Sequence, residues 1–170
     1  MARVQHLPRL LGAALALAAL PLPAQELDFR VAGDDKAVTA ALQGASLLHA
    51  GQEEQGRDPR DVLAAAQADY ARLVNALYAE GYYGGVVRIR VDEREAAQFS
   101  PFAAPERIGA IVVDVDPGPR FSFGDVAITP RAPGSAAMSA FRPGEPALST
   151  AVQAAVDAAI SDWRDAGRAK

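Results

Sequence analysis

The 170-residue chain contains no cysteine, two histidines and one tryptophan. Without cysteine there is neither a disulfide framework nor a lipid attachment site, so the fold must rest on its packed core. Two histidines and no thiol leave a zinc site dependent on carboxylates from scattered loops, and no metal or other cofactor is expected. No G-x-S-x-G, phosphate-cradling glycine loop or dinucleotide fingerprint occurs, so hydrolase and nucleotide-dependent chemistries have no motif to carry them. Lysine occurs only at Lys36 and Lys170, and the 17 basic residues are outnumbered by 21 acidic ones. That balance argues against nucleic acid or an anionic membrane surface as a main partner. The longest apolar run, residues 10–20, is well short of the roughly 20 residues a helix needs to span a bilayer.

That run has a different meaning. Arg3 and Arg9 precede it and Pro21-Leu22-Pro23-Ala24 follows it, the charged, apolar and small-residue regions of an export signal. Residues 1–24 are therefore expected to be a signal peptide cleaved after Ala24, with the mature chain working outside the cytoplasm. Cleavage removes two basic residues and no acidic ones, leaving 15 against 21, a net charge of −6. What remains is enough for one ordinary domain, or one small domain and part of another.

Periodicity then sets the order of elements. Residues 26–32 alternate Leu27, Phe29 and Val31 against Asp28 and Arg30, a strand with one buried face. Gly33 ends it, and Asp34 or Asp35 can cap a helix carrying Val38, Ala41, Leu42, Ala45 and Leu48. A polar loop over 51–57 leads to Asp58-Pro59, a cap followed by proline where its missing N–H costs nothing. Leu63, Ala66, Tyr70, Leu73, Val74 and Leu77 form the apolar stripe of the second helix, which Gly81 terminates. The period returns to two over 85–91, with Val87, Ile89 and Val91 on one face and Val86, Arg88 and Arg90 on the other, and again over 108–115. Residues 121–128 read as a fourth strand, and a helix runs from Ser149 to about Ala166.

The sequence thus predicts an α+β fold, with a β-α-α-β-β unit over residues 25–120. The stretch 158–167, with Ile160, Trp163 and Gly167, parallels 71–81 with Leu73, Leu77 and Gly81. Residues 121–170 are accordingly expected to begin a second, truncated unit, since a lone strand and helix cannot bury both faces.

An export signal, this unit and its repetition resemble the polypeptide-transport-associated (POTRA) domains of the Omp85 outer-membrane superfamily. The resemblance is carried by Leu77-Tyr78-Ala79-Glu80-Gly81-Tyr82-Tyr83, similar to a family helix end L-x-x-x-G-Y-Y, and by residues 115–123, VDPGPRFSF, similar to a family turn. Phe141-Arg142-Pro143-Gly144-Glu145-Pro146-Ala147 also resembles the entry into a second domain, and within the superfamily the likeness is greatest to the TamA branch of autotransporter assembly factors. The resemblance implies a three-stranded mixed sheet packed on two antiparallel helices, in a non-enzymatic protein on the periplasmic side of the bacterial outer membrane. Its implied partners are unfolded outer-membrane proteins and autotransporters, together with an inner-membrane-anchored, TamB-like assembly factor. The membrane barrel of a complete member is missing from the chain, which on this reading is a fragment. The general barrel-assembly subunit, a two-partner secretion transporter or a free periplasmic scaffold are the alternatives.

The implied mechanism is β-augmentation: an extended client satisfies its backbone by adding to an exposed strand. The expected template is the second strand, Val86, Val87, Arg88, Ile89, Arg90 and Val91, taken as an exposed edge, and a proline at position 89 is expected to abolish peptide binding. Arg88 and Arg90 could meet an acidic partner or simply discourage aggregation of an edge. Gly81, Tyr82 and Tyr83 are expected to be a helix stop with aromatic cover, and Asp116, Pro117, Gly118 and Pro119 a rigid interdomain turn rather than a cation site. His49 reads as a solvated helix-end residue, Trp163 as core, and Glu53-Glu54 and Asp92-Glu93-Arg94-Glu95 as solvated loop charge. No catalytic residue is expected.

Overall fold

A computed structural model describes residues 26–54, 56–100, 104–135 and 140–168. The expected signal peptide, residues 1–24, lies outside the described residues. Among those described, no helix is long and apolar enough to cross a membrane.

The first strand, β1 (Glu26–Val31), turns at Gly33, whose φ of +88° suits glycine, into α1 (Lys36–Ala45). The Asp35 carboxylate caps α1, accepting from the N–H groups of Ala37 and Val38 at 2.9 and 3.2 Å. The single helix expected through Leu48 is in fact two, because Ser46 is extended (φ −80°, ψ 127°) and its hydroxyl caps a second short helix, α2 (Leu47–Ala50), accepting from the His49 N–H at 3.0 Å. Asp58 and Pro59 then open the long α3 (Pro59–Ala79) as expected, with Val62, Leu63, Ala66, Leu73 and Leu77 buried along one stripe.

After α3 come β2 (Val86–Val91), a two-residue β3 (Arg94–Glu95), a 3-10 turn (Ala96–Gln98) and β4 (Ala110–Asp116). The sheet is mixed, in the order β1-β4-β2-β3, with β1 parallel and β2 antiparallel to β4. The fold class agrees with the sequence, but the order gains two short elements, α2 and β3, and the sheet has four strands, not three. Asp92 and Glu93, at φ of 46° and 69°, form a two-residue hairpin loop of the kind that matches strand twist, and so return Arg94 and Glu95 onto β2. The core lies between the sheet and the helices, where Ile89, Val91, Ile111, Val113 and Val115 meet Val38, Leu42, Leu48, Leu63, Leu73 and Leu77.

Residues 121–128 do not form the fourth long strand. They make one isolated bridge, Ser122 to Pro146, within a short ladder in which the Phe123 N–H reaches the Glu145 carbonyl and the Gly144 N–H the Phe123 carbonyl, each at 2.8 Å. Gly124 and Pro130 interrupt any longer alternation, and α4 (Ser149–Asp165) follows. Its end matches that of α3. The Tyr82 and Arg168 N–H groups bond to Leu77 and Trp163 at 2.8 and 2.9 Å, and those of Gly81 and Gly167 to Tyr78 and Arg164 at 3.2 and 2.8 Å, the Schellman pattern with a left-handed glycine. Trp163 is nevertheless not core: it is half-buried, and its ring N–H donates to the Pro130 carbonyl at 3.2 Å.

Candidate functional site

The margin of the sheet along β2 is built from three directions. Antiparallel pairing places Arg88 opposite Asp114 and Ile89 opposite Val113. The Asp92 N–H bonds to the Ala110 carbonyl at 2.9 Å, so even-numbered residues of β2 turn their backbone groups toward β4 and the odd-numbered ones turn theirs outward. At Val91 the outward groups meet β3. At Ile89 side chains take the place of a strand. The Glu95 carboxylate accepts the Ile89 N–H at 3.2 Å, and the Tyr70 hydroxyl, projecting from α3, reaches both the Ile89 carbonyl at 3.1 Å and Glu95.

This corrects the expectation of a fully exposed edge. Of the six predicted residues, Ile89, Arg90 and Val91 are closed off by the hairpin, Tyr70 and Glu95, and only residues 86–88, with Val87 at their centre, keep an outward face without a neighbouring strand among the described residues. Of residues 92–95, Asp92, Glu93 and Arg94 are exposed as expected, with the Asp92 carboxylate accepting the N–H groups of Gly109 and Ala110 at 3.0 and 2.9 Å and Arg94 lying 4.4 Å over the Phe99 ring, whereas Glu95 is half-buried and not simply solvated charge. On the outer face of the sheet Arg90 pairs with Asp114 at 2.7 Å, while Arg88 is exposed. Neither was distinguishable in sequence.

Tyr70 is held strongly in its protonated form. Burial first, and then the adjacent Glu95 carboxylate, push its hydroxyl up to about 12 from an ordinary 10.0. The folded state thus retains a proton that the unfolded chain releases, so this contribution to stability is complete below pH 10 and lost as the pH rises through about 12. The urea midpoint is expected to fall across that window, and Tyr70→Phe to flatten the fall. An unchanged slope in the variant would show that Tyr82, which burial and Asp35 shift in the same direction, accounts for all of it.

The two sequence motifs meet at the other end of β2. Gly81, at φ +85°, closes α3, and Tyr82 is buried over the helix end with its hydroxyl donating to Asp35 at 3.2 Å. Tyr83 is exposed, stacked on Tyr78 at 4.9 Å and edge-on to Phe121 at 6.0 Å. In Asp116-Pro117-Gly118-Pro119 the Asp116 carboxylate accepts the Gly118 N–H at 3.0 Å, and Gly118 takes φ +66°, a local side-chain-closed turn at the end of β4. Beyond Pro119, the Arg120 side chain donates to the Glu80 carbonyl at 2.9 Å and the Phe121 N–H to the Gly81 carbonyl at 2.8 Å. The helix stop and the turn are therefore two sides of one joint that fixes the chain leaving β4 against the end of α3.

Sequence reasoning missed Asp69. It is fully buried on α3 and accepts from the Ser46 hydroxyl at 2.6 Å and from the N–H groups of Leu47 and Leu48 at 2.8 and 3.1 Å. Its signal was its position: a carboxylate on the stripe Val62, Ala66, Asp69, Leu73, Leu77. His49 is near this cluster but is half-buried rather than solvated, its ring 5.8 Å from that of Phe29. Ser46 donates directly to Asp69 and accepts only the backbone N–H of His49, an arrangement that serves a helix start and gives the hydroxyl no imidazole base. Among the described residues no three histidine or acidic side chains cluster as metal ligands. No family model matches the chain, and no curated protein is significantly similar to it.

Proposed function

We propose that the chain is the periplasmic part of an outer-membrane protein and autotransporter assembly factor of the TamA type, which captures extended polypeptides by strand addition to its sheet. The observation that carries this reading is the sheet margin at residues 86–88, where outward backbone groups end abruptly at the Tyr70–Glu95 seal. A client strand there would gain ladder hydrogen bonds without needing a particular side-chain sequence. The order of one strand, a run of helices (α1 to α3) and then the strands β2 to β4, together with the joint between the helix stop and the Asp-Pro-Gly-Pro turn, supports a POTRA-like unit. The apolar row Val152, Val156 and Ile160, exposed at four-residue spacing on α4, supports the view that residues 121–170 begin a second unit whose sheet would cover that face. The inner-membrane-anchored partner is proposed to use the same kind of pairing.

The test belongs at Val87 rather than at Ile89. Proline at 89 would remove an N–H bound to Glu95 inside the domain, whereas the Val87 N–H faces outward, a position where an edge strand tolerates proline. Val87→Pro is expected to keep the helical circular-dichroism signal and lose binding of an extended client peptide at this margin. Undiminished binding at β2 by the folded variant would defeat the proposal for this strand.

A further inference from the structure

The seal at Ile89 imitates a strand. A neighbouring strand would bring one acceptor and one donor to each outward station of β2, and at Ile89 both come from side chains. Glu95 Oε1 accepts the N–H at 3.2 Å, and the Tyr70 hydroxyl donates to the carbonyl at 3.1 Å and to the same Glu95 oxygen. A single hydroxyl proton serves both acceptors, so the Ile89 carbonyl is only partly satisfied. Tyr70 keeps that proton at any ordinary pH, since its hydroxyl is pushed up to about 12. One station earlier, roughly 7 Å along the strand, Val87 has no such substitute among the described residues.

Both groups are held in place. Tyr70 packs on the core, and Gln67, one turn before it on the same face of α3, donates to the carbonyls of Ala96 and Phe99 at 3.2 and 3.1 Å. Glu95 is thus fixed on one side by the pairing of β3 with β2 and on the other by the 3-10 turn that Gln67 anchors, where Ala96 is fully buried. Side chains placed this way form a rigid stop and not a flap. Protection of the edge against casual pairing does not account for their position, because such a device would also cover Val87, and the closure begins one station later. We infer that Tyr70 and Glu95 set the length of strand that β2 accepts, confining an added polypeptide to the Val87 station and turning its chain away at Ile89. This deepens the strand-addition reading above and rests on it. The client so selected is a short extended segment that ends or bends after its pair with Val87, because a chain running straight on would find both Ile89 groups already bonded.

The test titrates the full chain with two soluble peptides that alternate valine with threonine between terminal lysines, of about five and about nine residues, enough for one station and for two. Binding is followed at the Val87 and Ile89 amides by NMR. Wild type is expected to bind both peptides with equal affinity, the Val87 amide gaining protection from exchange. Tyr70→Phe combined with Glu95→Ala is expected to prefer the longer peptide about tenfold, the worth of two further ladder bonds, and to protect the Ile89 amide only when peptide is present. Glu95→Gln keeps an acceptor for the Ile89 N–H and is expected to behave as wild type. Should the double variant fail to fold, Tyr70→Phe alone, which frees only the Ile89 carbonyl, is expected to prefer the longer peptide about threefold. A wild-type preference as large as that of the variant, or a folded variant with no preference, would overturn the stop and leave strand addition standing. Protection of Ile89 in the variant that rises with protein concentration in the absence of peptide would make the seal a guard against self-pairing, and would also overturn it. No change at Val87 in any of these proteins would remove the strand-addition reading itself, and the stop with it.

Discussion

Replacing Asp69 by alanine is expected to lower the unfolding free energy by about 3 kcal/mol or more, since each buried donor left without its acceptor costs about 1 to 3 kcal/mol. Three donors lose their acceptor together: the Ser46 hydroxyl and the N–H groups of Leu47 and Leu48. The two N–H groups begin α2 and have no intrahelical partner of their own. Water cannot replace the carboxylate cheaply, because Asp69 and Ser46 are both buried. Asparagine at 69 keeps one acceptor oxygen but turns a donor toward the other partners, so its effect should fall between wild type and alanine. Adding Ser46→Ala to Asp69→Ala should cost less than Ser46→Ala alone, since the hydroxyl has by then lost its acceptor. Urea denaturation of the four proteins measures this, and strict additivity would show that Ser46 and Asp69 do not act as a unit.

The second large effect is expected where α3 ends and β2 begins. Leu77 is 1% exposed and supplies the carbonyl that receives the Tyr82 N–H. Leu77→Ala should cost about 2 to 5 kcal/mol, as for other buried leucines. Facing it is Gly85, where an added Cβ would lie 2.7 Å from Leu77 Cδ1 and 3.2 and 3.3 Å from the carbonyl oxygens of Asp116 and Pro117. Gly85→Ala should therefore cost about 1 to 3 kcal/mol by overpacking. Because Leu77→Ala clears the closest of these contacts, the double variant should be more stable than the sum of the single losses predicts, by at least about 0.5 kcal/mol. The carbonyl contacts remain, so the relief is partial. Additive losses would mean that the backbone, and not Leu77, sets the limit at Gly85.

These two sites show where legibility in the sequence stops. The Gly-Tyr-Tyr and Asp-Pro-Gly-Pro stretches were readable separately as a helix stop and a turn, because glycine and proline report their own backbone conformations. That they form one joint, with Gly85 pressed against Leu77 and Arg120 bonded back to Glu80, depends on pairing Val86 with Asp116 across thirty positions, which no local pattern encodes. Asp69 is similar. Its place on an apolar stripe was visible, but its partners are more than twenty residues away.

The edge strand divides along the same line. Alternation by itself marked residues 26–32, 85–91 and 108–115 as strands, close to the observed Glu26–Val31, Val86–Val91 and Ala110–Asp116, and showed which face of each is apolar, because side-chain direction has a period of two whatever the neighbours. The caps at Asp35 and Asp58 and the stop at Gly81 were equally local. Strand order is not a local property. It was the tertiary structure that put β4 between β1 and β2 and sealed Ile89 with a glutamate six residues onward and a tyrosine nineteen residues before. The hydrogen-bonding direction of a strand runs perpendicular to the direction its side chains report, so a sequence that shows plainly what faces the core is silent about what lies alongside.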